Sequence, residues 1–269
     1  MFCMKFFNNP NPGNSDNRDD DDNESESRYH SQVNIDGYHE KSNYALNIEN
    51  ISKIYYSPAG GLSALSNISF IIKKGEFVSI VGPSGSGKST LLNVIGALDK
   101  PTNGKVFIGG IDIFALKSNQ IAYMRNKMIG FIFQSYNLIN RTSVQKNIEI
   151  PSIISGMSIS DRRRRSSKLL DILGIKDKAY VKPLNLSGGQ QQIVAIARAL
   201  INNPEIILAD EPTGNLDTKT GQEVFYLLKM LSNKFGRTII VVTHNPELAK
   251  ETDRTIHIRD GRVEKDVTN

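Results

Sequence analysis

Cysteine is almost missing from the 269 residues and tryptophan is missing altogether. The only cysteine, Cys3, cannot form a disulfide within the chain, which favours a reducing compartment. The sequence also has no cluster of cysteine and histidine that would indicate a structural zinc site. No apolar run approaches the roughly 18 residues that a membrane-spanning helix needs, and the first residues are too short and interrupted for a secretory signal. We therefore expect a cytoplasmic protein.

Charge is divided unevenly along the chain. Residues 1–45 hold 4 Lys or Arg and 9 Asp or Glu, whereas the whole chain has a net charge of +5. This acidic segment has too few apolar residues to form a core, and we predict a disordered tail there. The basic remainder suits a nucleotide-binding protein near anionic lipid and also a nucleic acid-binding protein, so charge alone leaves both open. The arginine run at 162–165 is interpreted as solvated surface, with contact to lipid headgroups or a permease loop as the alternative.

From residue 46 onward, short apolar runs alternate with helical patterns. The runs span 46–55, 64–72, 77–81, 129–133, 206–209 and 238–243. Several are rich in β-branched residues and apolar on both faces, which is typical of parallel strands buried between helices. Between about 134 and 190 the pattern is helical. Ser160 or Asp161 is the predicted N-cap of a helix that continues through Leu173 and is closed by Gly174.

A glycine-rich segment follows the apolar run at 77–81 and fits the pattern G-x-x-x-x-G-K-[ST] at every position. In such a loop, successive backbone N–H groups wrap a polyphosphate at the positive end of a helix, here predicted from Ser89 to Leu98. Lys88 would reach the β- and γ-phosphates, and the Ser89 hydroxyl would ligate Mg²⁺. The sequence therefore predicts a site for ATP or GTP with Mg²⁺. Its candidate residues are Gly82, Pro83, Ser84, Gly85, Ser86, Gly87, Lys88, Ser89 and Thr90.

Two adjacent carboxylates, Asp210 and Glu211, follow the apolar run at 206–209. The end of a strand opens toward the ligand crevice in α/β folds, so both acids are placed to reach the nucleotide. Asp210 would hold Mg²⁺, and Glu211 would accept a proton from, or orient, the water that attacks the γ-phosphate. An acidic pair alone would indicate a turn equally well. Downstream of a phosphate loop it indicates hydrolysis.

The pentapeptide LSGGQ at 186–190 precedes a predicted helix over 191–200. Ser187 is then the N-cap of that helix, and the exposed N–H groups beside it form a second candidate anion site. Alone, the motif could be an ordinary capped helix.

Together these motifs resemble those of ATP-binding cassette (ABC) transporter ATPase subunits, in the order of that family and over roughly residues 46–263. LSGGQ is the family's signature sequence. Gln134 resembles the Q-loop glutamine, residues 214–217 resemble the D-loop, His244 resembles the switch histidine, and Tyr55 resembles the aromatic residue that stacks on adenine. The residues around these motifs are most similar to the lipoprotein-release and macrolide-export type.

The resemblance implies an α/β fold with a P-loop NTPase core, which is a mainly parallel sheet with flanking helices. A small antiparallel β subdomain and an inserted helical subdomain at about 134–190 would complete it. The ABC ATPase domain would span 46–264, and residues 265–269 would form a short tail.

The resemblance also implies a mechanism. Two cassettes would pair head to tail, either as a homodimer or with a similar subunit, and each ATP would lie between one phosphate loop and the opposite signature motif. Asp217 would bridge the dimer, and Gln134 would sense nucleotide and link the site to a helical subdomain that docks on a separate membrane permease. Catalysis would depend on Glu211, His244 and Gln134. The Mg²⁺ ligands would be Ser89, Gln134 and Asp210. The residues acting in trans would be Ser187, Gly188, Gly189 and Gln190.

One position departs from the family pattern, because Ile193 stands where an arginine is common. The loss of a guanidinium near the helix start bears on coupling more than on ATP binding. Two other functions stay open at this point: a soluble ABC-type ATPase that acts on ribosomes or DNA, and a scaffold that binds ATP without useful turnover. The transporter subunit is the leading interpretation, with no nucleic acid partner and with a location on the cytosolic face of a membrane through the permease.

Overall fold

The structure, a computed structural model, describes residues 42–58 and 60–269. The predicted disordered tail, residues 1–45, lies outside the described residues except for its last four. Within the described part, the strands form one six-stranded and one four-stranded sheet. The strands are β1 (Tyr44–Ser57), β2 (Gly60–Lys73), β3 (Phe77–Val81), β4 (Asn103–Ile108), β5 (Ile111–Asp112), β6 (Ile129–Phe133), β7 (Ile206–Asp210), β8 (Thr238–Val242), β9 (Arg254–Arg259) and β10 (Arg262–Thr268).

The six-stranded sheet has the order β10-β9-β3-β8-β7-β6, and every neighbouring pair except β10 with β9 is parallel. The prediction of a mainly parallel sheet is therefore confirmed. All five residues of β8 are buried, because this strand lies inside the sheet and is covered on both faces. At the edge, β10 pairs with β9 through residues 262–268, where the sequence predicted a short tail from 265.

The four-stranded sheet has the order β2-β1-β4-β5 and is antiparallel throughout. Its two long strands contain the apolar runs 46–55 and 64–72, so these two runs are not among the parallel strands. The prediction of a small antiparallel β subdomain is confirmed. The short strands β4 and β5 were not predicted. The first three residues of β4, Asn103, Gly104 and Lys105, are exposed and give no alternating pattern.

Seven α-helices connect or cover the sheets within the described residues. They are α1 (Lys88–Ile95), α2 (Ser118–Met128), α3 (Val144–Ile154), α4 (Ile159–Ile172), α5 (Gly188–Leu200), α6 (Thr218–Phe235) and α7 (Pro246–Lys250). Single 3₁₀ turns lie at Ile113–Ala115, Lys176–Lys178 and Pro183–Asn185. The segment predicted as helical, about 134–190, contains α3, α4 and the start of α5. No helix in this described part of the chain is long and apolar enough to cross a membrane.

Helix ends differ from the predictions at two places. Helix α4 is capped by Ser158, whose Oγ accepts a hydrogen bond from the backbone N–H of Asp161, so the prediction of Ser160 or Asp161 as N-cap is wrong. The serine two residues earlier reaches the N3 N–H first. Helix α1 ends at Ile95 rather than Leu98, because Gly96 caps it and Ala97 has a left-handed φ of 52°.

Two apolar clusters lie on opposite faces of the six-stranded sheet. The first packs the antiparallel sheet against α1, α2 and one face of the six-stranded sheet, and the second packs α3 to α6 against the other face. Strand β8 contributes to both, because Ile240 and Val242 face the first cluster while Ile239 and Val241 face the second. The predicted site lies at the ends of these strands, and packing on both faces of the sheet fixes the positions of those ends.

Candidate nucleotide site

The glycine-rich loop joins β3 to α1 as predicted, and the structure shows why glycines occupy it. A Cβ added at Gly82 would lie 2.0 Å from the carbonyl oxygen of Ile258, and one added at Gly87 would lie 2.5 Å from that of Ala64. Gly87 also has a φ of 102° as the N-cap of α1. At Gly85, by contrast, nothing lies within 4 Å of an added Cβ. The loop thus packs against main-chain atoms of Ile258 and Ala64 on one side, while its other side, at Gly85, has no neighbouring atoms among the described residues.

Lys88 begins α1 and turns back over the loop. Its Nζ donates to the carbonyl oxygens of Gly82 at 2.9 Å and Pro83 at 2.8 Å. The Ser86 Oγ is buried and has no hydrogen-bond partner among the described residues. The first turn of α1 contains no acidic side chain, so the positive end of the helix is not neutralised there. An ammonium, an unpaired hydroxyl and a helix N-terminus on one loop fit an anionic polyphosphate.

Asp210 ends β7 and meets the start of α1. Burial raises the pKa of Asp210, and the Glu211 carboxylate raises it further, while the hydrogen bond from Ser89 and the charge of Lys88 lower it. A partly buried carboxylate next to a second carboxylate favours a bound cation. The side-chain oxygens of Ser89 and Asp210 are of the type that Mg²⁺ prefers as ligands. These residues therefore fit a magnesium ion.

Glu211 and His244 meet because they follow adjacent parallel strands. Glu211 comes directly after β7, its backbone N–H donates to Val242 O at 3.0 Å, and its φ of 45° is left-handed. His244 follows β8, and its Nδ1 lies 3.3 Å from Oε2 of Glu211. His244 is largely exposed, so the pair faces solvent on one side. A cavity of about 360 Å³ adjoins the pair and is also lined by Leu216, Asp217 and Tyr226.

Gln134 directly follows β6 and contacts Gly214 and Asn215. Its Nε2 donates to Oδ1 of Asn215 at 3.2 Å, and Nδ2 of Asn215 donates to the main-chain oxygen of Gln134 at 3.0 Å. A Cβ at Gly214 would lie 2.6 Å from Nε2 of Gln134, so glycine permits this approach. Asp217 caps α6 by accepting from the N–H of Thr220 at 3.0 Å. A hydrogen bond from the Thr220 side chain, followed by this backbone hydrogen bond, lowers the pKa of Asp217.

Tyr55 lies beside the helix that follows the phosphate loop. Its hydroxyl donates to Asp99 Oδ2 at 2.7 Å and receives a hydrogen bond from Thr90 of α1. Lys53 donates to Asp99 Oδ1 at 2.6 Å, and its Nζ lies 4.8 Å from the centroid of the Tyr55 ring. Burial, followed by the hydrogen bond to Asp99, raises the pKa of Tyr55. The ring is 40% exposed and so retains surface for stacking.

The signature segment forms a capping box at the start of α5. The Ser187 Oγ accepts from the Gln190 N–H at 3.3 Å, and the Ser187 N–H donates to Oε1 of Gln190 at 3.1 Å. The predicted N-cap is therefore confirmed. A Cβ at Gly188 would lie 2.9 Å from the Tyr136 hydroxyl, and one at Gly189 would lie 2.4 Å from Cγ2 of Thr220. These contacts place the segment beside the Gln134 loop and α6.

Sequence analysis missed the roles of four side chains of this region, one of which, Asn215, was noted only as part of the D-loop segment. Lys53 and Asp99 hold Tyr55, Asn215 holds Gln134, and Arg198 holds the loop after Gln134. Arg198 stands between the buried residues Ala197 and Ala199, and a charged residue in such a run is a signal that could have indicated a buried partner. The other three have no comparable signal, because their partners are distant in sequence.

Comparison with known proteins connects this geometry to a family. A model of the ABC transporter family matches residues 65–214, from β2 through the turn after Glu211. The chain belongs to the ABC transporter family. Proteins of this family bind ATP and hydrolyse it with Mg²⁺, and the chain is accordingly an ATPase.

A relative of similar length supports the assignment of the whole cassette to this family. An uncharacterized ABC transporter ATP-binding protein of Thermotoga maritima is 49% identical over 219 residues, which are 81% of this chain and 93% of that protein. The macrolide export ATP-binding/permease protein MacB of Vibrio parahaemolyticus is 47% identical over 85% of this chain, but the match spans 35% of MacB. This chain thus corresponds to about a third of MacB.

Solved structures show the same fold. The dimeric post-hydrolysis state of the ATP-binding cassette MJ0796 bound to ADP and Pi has a TM-score of 0.76 and 46% identity, and it covers 83% of this chain and 98% of that one. The ABC transporter ATP-binding protein MJ0796 of Methanocaldococcus jannaschii is 48% identical to this chain over 225 residues. The fold class predicted from the sequence is therefore confirmed, and dimers are known for a related ABC cassette.

Proposed function

We propose that this ABC ATPase is the ATP-hydrolysing subunit of a transporter and drives a separate membrane permease. The observation that carries the proposal is the pairing of Glu211 with His244, whose side chains lie 3.3 Å apart at two strand ends. Next to them is the partly buried Asp210, which is hydrogen-bonded to Ser89 of the phosphate-loop helix. A cassette that only bound ATP would not need this acid and base beside the metal ligands. The arrangement favours turnover over a passive scaffold.

Each side chain has a role in this proposal. Residues 82–90 bind the phosphates, with Lys88 leaving the loop carbonyls for the β- and γ-phosphates, and Tyr55 stacks on adenine. Ser89, Asp210 and Gln134 hold Mg²⁺, which when bound neutralises phosphate charge. Glu211 orients the attacking water or accepts its proton, and His244 contacts the γ-phosphate and fixes Glu211.

Dimerisation completes the site in the same proposal. In the described chain, Gly188 lies beside Tyr136 and Gly189 lies beside Thr220, between Ser187 and Gln190 of the capping box. The open side of the phosphate loop at Gly85 has nothing from this described chain within 4 Å of an added Cβ. A second cassette, placed head to tail, would bring its signature helix N-terminus onto that open side, with Asp217 at the interface. The dimeric structure of the MJ0796 cassette supports dimerisation in general.

The permease is proposed from the relatives. MacB is an ATP-binding/permease protein, and this chain matches only 35% of it. The Thermotoga maritima relative, of which the match covers 93%, is an ABC transporter ATP-binding protein. This supports a permease on a second polypeptide, with this subunit held on the cytosolic face. Action on ribosomes or DNA is the alternative, and no contact of the described residues favours it.

Affinity capture of the ATP-loaded Glu211→Gln protein from gently solubilised cells distinguishes a transporter subunit from an ATPase that acts on ribosomes or DNA. This variant should hold ATP and stay in its dimeric complex, and we expect a multi-span membrane protein to co-purify in stoichiometric amount. The matched control is the double variant Lys88→Ala/Glu211→Gln, which should bind ATP weakly. Capture of ribosomes, nucleic acid or soluble proteins alone would reject the transporter and favour the alternative.

A further inference from the structure

Asn215 and Gln134 bind each other through two hydrogen bonds that run in opposite directions. Asn215 Nδ2 donates to the main-chain oxygen of Gln134 at 3.0 Å, and Gln134 Nε2 donates to Oδ1 of Asn215 at 3.2 Å. A main-chain oxygen can only accept, so it fixes which end of the Asn215 amide faces it. The Oδ1 atom then faces the Gln134 side chain and can accept only from its nitrogen. The two amides therefore fix each other's orientation.

The surrounding backbone holds this pair in place. Arg198 donates to the main-chain oxygens of Tyr136 at 2.8 Å and Asn137 at 2.5 Å, and both of these residues have a left-handed φ, 59° and 50°. On the other side, the N–H of Gly214 donates to the main-chain oxygen of Glu211 at 3.0 Å. Asn215 thus lies on the same turn as the proposed general base, and it ties that turn to the loop of Gln134.

The orientation matters because Mg²⁺ takes oxygen ligands. With its nitrogen bound to Asn215, the Gln134 amide has its oxygen available. We propose that Asn215 is a positioning residue for Gln134, which holds the Gln134 amide so that its oxygen rather than its nitrogen is presented to Mg²⁺. This inference rests on the proposed role of Gln134 as a magnesium ligand. Asn215 is itself exposed, so its removal should leave folding stability nearly unchanged.

Binding of Mn²⁺, a paramagnetic substitute for Mg²⁺, tests the inference. In a Glu211→Gln background loaded with ATP, the free Mn²⁺ signal in electron paramagnetic resonance gives the metal affinity without turnover. Removing a group that orients a metal ligand weakens affinity roughly 10- to 100-fold. Because Gln134 would be one of several ligands, we expect Asn215→Ala to weaken Mn²⁺ binding by about tenfold with little change in melting temperature. In a Gln134→Ala background, Asn215→Ala should have no further effect.

The matched control is Asn202→Ala, which removes an amide that hydrogen-bonds Asn126 away from the metal site and should leave Mn²⁺ affinity unchanged. The inference is overturned if Asn215→Ala binds Mn²⁺ like its parent, or if it weakens binding equally with and without Gln134. If Gln134→Ala itself binds Mn²⁺ like its parent, Gln134 is not a ligand and both the inference and the proposed role of Gln134 fail. The outcomes therefore separate the two failures.

Discussion

Glu211 can be altered in two ways that separate its chemistry from its backbone conformation. Gln has the same shape and can keep a hydrogen bond to His244, whose Nδ1 lies 3.3 Å from the carboxylate, but it cannot accept a proton. We expect Glu211→Gln to reduce the rate of ATP hydrolysis by about 10²- to 10⁴-fold, which corresponds to roughly 2.7–5.5 kcal/mol in the activation barrier. ATP binding should remain, since the phosphate loop is untouched.

Gly at the same position should reduce hydrolysis to the same extent, but it should stabilise the fold. Glu211 has a φ of 45°, in the left-handed region where a side chain costs about 1–2 kcal/mol and glycine does not. Compared with Glu211→Gln, the Glu211→Gly protein should therefore be about 1 kcal/mol more stable, which is roughly 2–4 °C in melting temperature for a domain of this size.

The two assays are phosphate release under saturating ATP and thermal unfolding of the nucleotide-free proteins. Both variants should have the same residual hydrolysis, and only the glycine variant should melt at a higher temperature than the wild type. Hydrolysis by Glu211→Gln at the wild-type rate would remove Glu211 from the mechanism. A glycine variant that melts below the glutamine variant would show that the left-handed conformation is not strained.

Three further changes test other parts of the site. Lys88→Ala removes a charged hydrogen-bond donor, and it should weaken ATP binding by about 1.5–3 kcal/mol in calorimetry, so an unchanged affinity contradicts its assignment to the phosphates. Tyr55→Ala should weaken ATP binding by about 1–3 kcal/mol and leave binding of tripolyphosphate, which has no base, unchanged; equal losses for both ligands would refute stacking. Burial raises the pKa of Asp210 above the value that this carboxyl has in the unfolded chain. Ionisation of Asp210 therefore destabilises the folded state as the pH rises above the pKa of the unfolded chain. Asp210→Asn should therefore raise the free energy of unfolding of the nucleotide-free protein at pH 7, with no gain below about pH 4, where the carboxyl is protonated in both states; denaturant titrations at the two pH values check the difference.

Local sequence patterns predicted the parts of the site that are continuous in the chain. The strand β3, the glycine-rich loop and the start of α1 follow one another within fifteen residues, and the capping box of Ser187 and Gln190 is equally local. The same is true of the carboxylates at the end of β7. In each case the residue type is required by backbone geometry or by helix capping that acts over a few residues.

Contacts between distant segments were not predictable in this way. The hydrogen bonds from Tyr55 to Asp99 and from Gln134 to Asn215 join residues 44 and 81 positions apart. The order of the parallel strands decides which strand ends meet, and neither periodicity nor composition determines that order. Only the family resemblance indicated that Glu211 and His244 belong to one site. The prediction of the N-cap of α4 was wrong for a different reason. Ser158, Ser160 and Asp161 are all residue types that favour the N-cap position, and composition does not distinguish them.

The departure at Ile193 changes packing rather than the anion site. Ile193 lies on α5, half-buried, and packs against the apolar cluster of α3 to α6. An arginine there would place a guanidinium against apolar side chains, and it would need a partner to offset its desolvation. The neighbouring Gln192 is fully buried and its side-chain amide has no partner among the described residues, so this part of α5 already holds one unpaired polar group. The capping box three residues earlier is intact, and the N–H groups that would face ATP in trans are therefore unaffected by the substitution.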